Sequence, residues 1–193
     1  MMTTLRQGIG ILILAMIAAV PSAADEPVEG RPPAYVIGQD MMVAISKSRK
    51  VVAAYSFSLS KWSRVELNTP LDRNVQLTVG AECAVFQAEK AIYAYSSTTG
   101  SWSRVDLEDP RETNLPTSVG YGFAAFQTSK AVYAYSATTG TWGRLPIAQP
   151  VKNQFAIHEQ MVLATDGDSL CVFGRHSHKW TAMKLDSGEI VSP

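Results

Sequence analysis

The 193-residue sequence predicts an all-β fold made of four tandem repeats of about 40 residues. Three observations carry this. Trp62, Trp102 and Trp142 stand 40 residues apart, and Trp180 follows after 38. Residues 76–115 laid on 116–155 without a gap are identical at 17 of 40 positions, among them Val79/Val119, Gly80/Gly120, Phe86/Phe126, Gln87/Gln127, Gly100/Gly140 and Arg104/Arg144. Beyond the N-terminal segment, no stretch sustains a 3.6-residue apolar period, so no significant helix is expected. The repeats run 36–75, 76–115, 116–155 and 156–193, and the last is the most divergent, as terminal repeats often are.

Within a repeat, three strand patterns follow one another. Gly120 to Gln127 is a short apolar run, Ala131 to Ser136 is rich in Val and Tyr, and Thr141 to Ile147 begins at the tryptophan. Thr138-Thr139-Gly140 joins the last two as a hairpin turn, with Gly140 free to take positive φ. Ser129-Lys130 makes the earlier turn, and Pro150 ends the unit. The strands are apolar on both faces: in Ile92 to Tyr95, Ile and Ala lie on one side and the two Tyr on the other. A sheet covered on both sides has this pattern, whereas a sheet with one wet face alternates. Sheets stacked face to face around an axis satisfy it, giving a β-propeller-like fold, either a small four-bladed ring or an open arc. Four blades are near the minimum for closure, so an arc completed by a partner or a second copy is the alternative to a closed monomer.

The hairpin Tyr135-Ser136-Ala137-Thr138-Thr139-Gly140-Thr141-Trp142 resembles that of Kelch repeats, with Trp seven residues after Tyr. Tyr95 to Trp102 and Tyr55 to Trp62 keep the spacing, and Phe173 to Trp180 keeps it with Phe for Tyr. Where Kelch repeats carry a double glycine, this chain has Phe126-Gln127 and Phe86-Gln87, and its unit is shorter than the roughly 50 residues of Kelch. Ala134, Ser136, Thr139 and Gly140 also resemble quinoprotein-type repeats, which have Asp in place of Ser136. Both resemblances imply a propeller fold and do not specify an activity.

The N-terminus has the order of an export signal. Arg6 precedes an apolar run of 13 residues, Gly8 to Val20, and Ser22-Ala23-Ala24 supplies small residues before a cut. Residues 1–24 are therefore expected to be removed, leaving a Pro-rich linker, 25–35, and a domain, 36–193, in the periplasm or outside the cell. The apolar run is short of the ~20 residues a membrane span needs, so no stable insertion is expected after cleavage. The chain is globular in composition, with 46% hydrophobic and 18% charged residues. Lys plus Arg and Asp plus Glu both number 17, and losing Arg6 leaves 16 against 17. A near-neutral chain has no electrostatic footprint for nucleic acid.

Candidate site residues come from the repeat and from its breaks. Trp62, Trp102 and Trp142 could stack on a ligand, but a residue that recurs in every unit is first expected to pack between blades. Arg64, Arg104 and Arg144 follow two residues later on the same strand face and could form a cationic ring, broken at Ala182. Asp166, Asp168, His176 and His178 are the one group with metal-ligand chemistry, although the two His fall at a hairpin turn where polar residues are expected anyway. The two cysteines lie in apolar runs. Cys83 aligns with Val43, Phe123 and Met161, and Cys171 with Ala53, Tyr93 and Tyr133, so they sit in different strands of the second and fourth repeats and are expected as free, buried thiols. No catalytic set and no cofactor motif emerge. The composition therefore favours an exported, non-catalytic binding or scaffold module recognising a protein or a glycan, with a homo-oligomer compatible. The alternative is a small propeller hydrolase or oxidoreductase using the loops of the fourth repeat.

Overall fold

The computed structural model describes residues 35–148 and 155–193. The signal segment 1–24, the linker up to residue 34 and Pro150 lie outside the described residues. Every described element is a strand, in four antiparallel sheets. Blade 1 holds β1 (Tyr35–Ile37), β2 (Met41–Ile45), β3 (Val51–Ser56) and β4 (Lys61–Glu66). Blade 2 holds β5 (Leu77–Val79), β6 (Cys83–Ala88), β7 (Ala91–Ser96) and β8 (Ser101–Asp106). Blade 3 holds β9 (Thr117–Gly120), β10 (Phe123–Gln127), β11 (Ala131–Ser136) and β12 (Thr141–Pro146). Blade 4 holds β13 (Phe155–Ile157), β14 (Met161–Asp166), β15 (Ser169–Gly174), β16 (Thr181–Lys184) and an added edge strand, β17 (Ile190–Val191). The fold is an all-β, propeller-like stack of four blades.

Blades 1 to 3 have one strand more than the sequence pattern suggests, added at the start of each, and blade 4 has that strand and β17 besides. The run Gly120 to Gln127 is not one strand but two, because Tyr121 (φ 50°) and Gly122 (φ 81°) turn the chain back in a two-residue hairpin. The extra strand is only three or four residues long in each blade, too short for its own pattern to show. Tyr35, at the end of the expected linker, is the first residue of β1. Strand pairing also corrects one alignment. Met41 faces Ser56 as Cys83 faces Ser96, so Met41, not Val43, is the counterpart of Cys83. The turn between Ile45 and Val52 is two residues longer than that between Gln87 and Ile92, which ungapped alignment cannot show.

Stacking is uniform. Three hydrophobic clusters lie between blades 1 and 2, 2 and 3, and 3 and 4. In the first two, one blade offers small or aliphatic side chains and the next offers the aromatic ones; in the third, Phe123 of blade 3 meets Phe173 of blade 4 among smaller residues from both. Val85, Ile92 and Ala94 of blade 2, for example, meet Phe126, Tyr133 and Tyr135 of blade 3. A serine ends the third strand of blades 1 to 3 and donates its hydroxyl hydrogen to a carbonyl of the following blade: Ser56 to Ser97, Ser96 to Ala137, and Ser136 to Arg175, at 2.7, 2.5 and 2.5 Å. Ser136 thus staples blades together at the position where quinoprotein-type repeats have Asp.

Among the described residues, no hydrophobic cluster joins blade 4 to blade 1. Among the described residues, the four blades therefore follow one another as an open stack. In β7 and β11 every residue is buried, whereas β3 and β14 bury alternate residues on the face toward the neighbouring blade.

Candidate binding surfaces

The four tryptophans occupy one structural position, which Trp102 and Trp142 share in matching surroundings while Trp180 and Trp62 depart from them. Trp102 packs on Tyr95 and Phe86 with ring centroids 5.2 and 5.6 Å apart, and Trp142 packs on Tyr135 and Phe126 at 5.0 and 5.5 Å. Trp180 is buried against Phe173. Gly143 of blade 3 makes room for this pair, since a Cβ there would run into the Phe173 ring. Trp62 keeps its intrablade partner Tyr55, 5.2 Å away, but no blade covers it, and it is 52% exposed.

The arginines do not gather into a ring of free cations. Arg64 pairs with Glu66 on its own strand at 2.9 Å, fully on the surface. Arg104 pairs with Asp106 at 2.5 Å and lies 5.6 Å from the Tyr93 ring centroid. Arg144 reaches Glu108 in the connection from blade 2, at 2.6 Å. Asp166, Asp168, His176 and His178 are likewise not brought together. Asp166 accepts the Ala148 amide, His178 meets the Thr141 hydroxyl at 3.2 Å, and His176 and Asp168 are exposed. Among the described residues, no three His, Cys, Asp or Glu side chains are grouped so that they could hold a metal ion.

Both cysteines are free and buried. Cys83 lies in the cluster between blades 2 and 3, and Cys171 in that between blades 3 and 4. Burial, with the Glu82 charge adding to it, pushes the Cys83 thiol up to about 12, and burial raises Cys171 as well. A thiol in that state is protonated and a poor nucleophile.

Three features come from placement that sequence spacing did not mark. The first is the outer face of blade 1, where Tyr35, Ile37, Phe57 and Trp62 are all exposed. Phe57 is the counterpart of Ser97, Ala137 and Arg175, so a break in the repeat was its one sequence signal. The second is the outer face of blade 4, where Leu163 lies opposite Val172 and Leu170 opposite Met183, all half-exposed. The third is an ion pair between blades that are not neighbours. Arg175 of blade 4 donates to both carboxylate oxygens of Glu82 of blade 2 at 2.5 Å, passing over Gly122 of blade 3. A side chain at Gly122 would collide with the Glu82 carboxylate, so glycine is needed there for space as well as for its positive φ.

A cleft of about 570 Å³ opens where the connection 67–76 enters blade 2 and the connection 107–116 leaves it, lined by Asn74, Gln76, Asn114 and Thr117 among others. Its walls are tied down. Gln87 donates to the Glu112 carbonyl and accepts from the Leu115 amide, and Glu89 accepts the amides of Asn68 and Thr69. Partial desolvation opposes ionisation of Glu89, but those N–H groups outweigh it and hold the carboxyl below its usual value.

No protein-family model matches the chain, and no curated protein is similar to it in sequence. Among solved structures it is similar to the N-terminal domain of Nup159, at 13% identity and a TM-score of 0.36, covering 76% of this chain and 45% of that one. It is also similar to Kluyveromyces lactis Hsv2, at 13% identity and a TM-score of 0.37, covering 76% of this chain and 48% of that one. The chain thus spans about half the length of these structures.

Proposed function

We propose that the chain is an exported, non-catalytic binding or scaffold module that works through protein contacts at its two uncovered blade faces. One observation carries this reading. Trp62 and its neighbours occupy positions that are packed in blades 2 to 4, yet they face outward in blade 1. Exposed apolar patches with aromatic anchors are the usual mark of a protein-binding surface. Export rests on the order of Arg6, the apolar run and Ser22-Ala23-Ala24, which points to the periplasm or the extracellular space. A second reading, recognition of a glycan, is favoured by the amide- and hydroxyl-lined cleft at the bottom of blade 2. The enzyme reading has less support, because its fourth-repeat residues stand apart.

Photo-reactive side chains installed at positions 62, 163 and 114 in the exporting cell separate these readings. Defined protein adducts at 62 and 163 are expected. Adducts to sugar at 114, with no protein adduct at 62 or 163, would replace the protein reading by the glycan one. Exported protein should begin at Asp25; an intact Met1 in the recovered protein would remove the export reading.

A further inference from the structure

We infer that the occupant of both uncovered faces is a second copy of this chain: blade 4 of each copy packs on blade 1 of the other, closing two arcs into an eight-bladed ring. This rests on the reading of those faces as binding surfaces and names what covers them. The faces are the two halves of an interface the chain already makes three times. On the side toward the following blade, Leu163, Leu170 and Val172 of blade 4 occupy the positions of Val85, Ile92 and Ala94 of blade 2. On the side toward the preceding blade, Ala44, Ala53, Tyr55 and Trp62 of blade 1 occupy the positions of Phe86, Tyr93, Tyr95 and Trp102.

The departures from the repeat compensate each other in volume. Blade 1 has Ala44 and Ala53 where blade 2 has Phe86 and Tyr93, which hollows its outer face. Blade 4 has Leu163, Val172 and Met183 where blade 2 has Val85, Ala94 and Val105, which swells its outer face. A bulging face on a hollowed one restores the volume of the internal interfaces, and close packing favours that match. Neither face is polar, as the outer face of a capping repeat would be. Blade 4 on blade 1 is a heterologous contact, so a single junction leaves another pair of faces bare. Closure by two copies covers all four faces, and eight blades lie within the range such rings adopt. Gly174 stands where blades 1 to 3 have the stapling serine, so this junction lacks that hydrogen bond and should part before the blades unfold.

Light scattering on the exported chain at micromolar concentration tests this, with twice the mass of one chain expected. Trp62→Lys alone and Leu163→Glu alone should each run at the mass of one chain with an unchanged β circular dichroism spectrum. Their mixture should recover the doubled mass, because one junction is then wild type on both sides and the other sets Lys against Glu. A wild-type mass of one chain overturns the proposal whatever the variants do. So does a doubled mass that survives Leu163→Glu, which would mean that blade 1 pairs with blade 1, and so does a wild-type mass above two chains. A single-chain mass together with adducts to a different protein at positions 62 and 163 would remove the second copy and leave the binding reading standing.

Discussion

Blades 1 and 3 come from the same repeat, yet Tyr135 of blade 3 is fully buried while Trp62 of blade 1 is half in solvent. The local sequence is nearly the same: Tyr55 meets Trp62 across β3 and β4 as Tyr135 meets Trp142 across β11 and β12. The difference lies in what covers the pair. Phe126 of blade 3 itself closes over Trp142 edge-on at 5.5 Å and blade 2 packs against them, whereas blade 1 has Ala44 in place of Phe126 and, among the described residues, no blade before it. A repeat residue is therefore core or surface according to its place in the array, which no single repeat encodes.

That contrast can be broken by substitution. Trp142→Ala removes a partly buried aromatic and should cost about 3 kcal/mol, the lower end for such truncations, and thermal unfolding should show it. Gly143→Ala pushes a methyl against the Phe173 ring and should cost about 1–3 kcal/mol by overpacking, read as a lower urea midpoint at unchanged slope. Glu82→Gln removes the charge that Arg175 faces, at a site about one quarter exposed, and leaves its bonds to the Thr138 hydroxyl and the Tyr121 carbonyl. A loss of roughly 1 kcal/mol is expected, shrinking in high salt, and equal losses at all ionic strengths would mean that packing dominates there. Trp62→Ala should change the melting of a single copy by less than about 1 kcal/mol. A loss as large as that of Trp142→Ala would place Trp62 in the core and erase the distinction between the two blades.

The cysteines sharpen the same contrast through pH. Cys83 is held protonated in the folded state, with its pKa pushed from 9.0 up to about 12. Between those values the unfolded chain gives up a proton that the folded chain keeps, so stability is full below about pH 9 and falls as pH rises toward 12. Urea titrations from pH 8 to 11 should show the decline, and Cys83→Ala should make it shallower, the remainder coming from Cys171 and the buried tyrosines Tyr95 and Tyr135, whose pKa values burial also raises. Thiol reagents at pH 8 should label neither cysteine until the protein unfolds.

Much of the fold was legible because the repeat states it several times. The period follows from laying residues 76–115 on 116–155, and the Gly140 turn and the last three strands of that blade follow from residues 116–155. The first strand was hidden because Thr117 to Gly120 is short and runs without interruption into Phe123; only the backbone angles at Tyr121 and Gly122 separate the two. The binding surfaces were less legible. Reasoning from repetition marked Trp62, Trp102 and Trp142 as equals, whereas the outer faces depend on departures such as Ala44, Phe57 and Leu163. The Glu82–Arg175 pair joins residues 93 apart in sequence, and neither belongs to a motif.

That ion pair has a consequence for how the array comes apart. Stacked repeats ordinarily behave as a one-dimensional chain in which each unit feels only its immediate neighbours, so the ends fray first. Here the last blade is also tied to the last but two, across a glycine that has no side chain of its own to offer. Blade 4 cannot peel away without breaking a bond to blade 2, so blades 2, 3 and 4 should melt as one cooperative block. In a single copy, fraying should begin at blade 1, and native-state hydrogen exchange should find the amides of β2 and β3 opening at lower free energy than those of β10, β11 and β14.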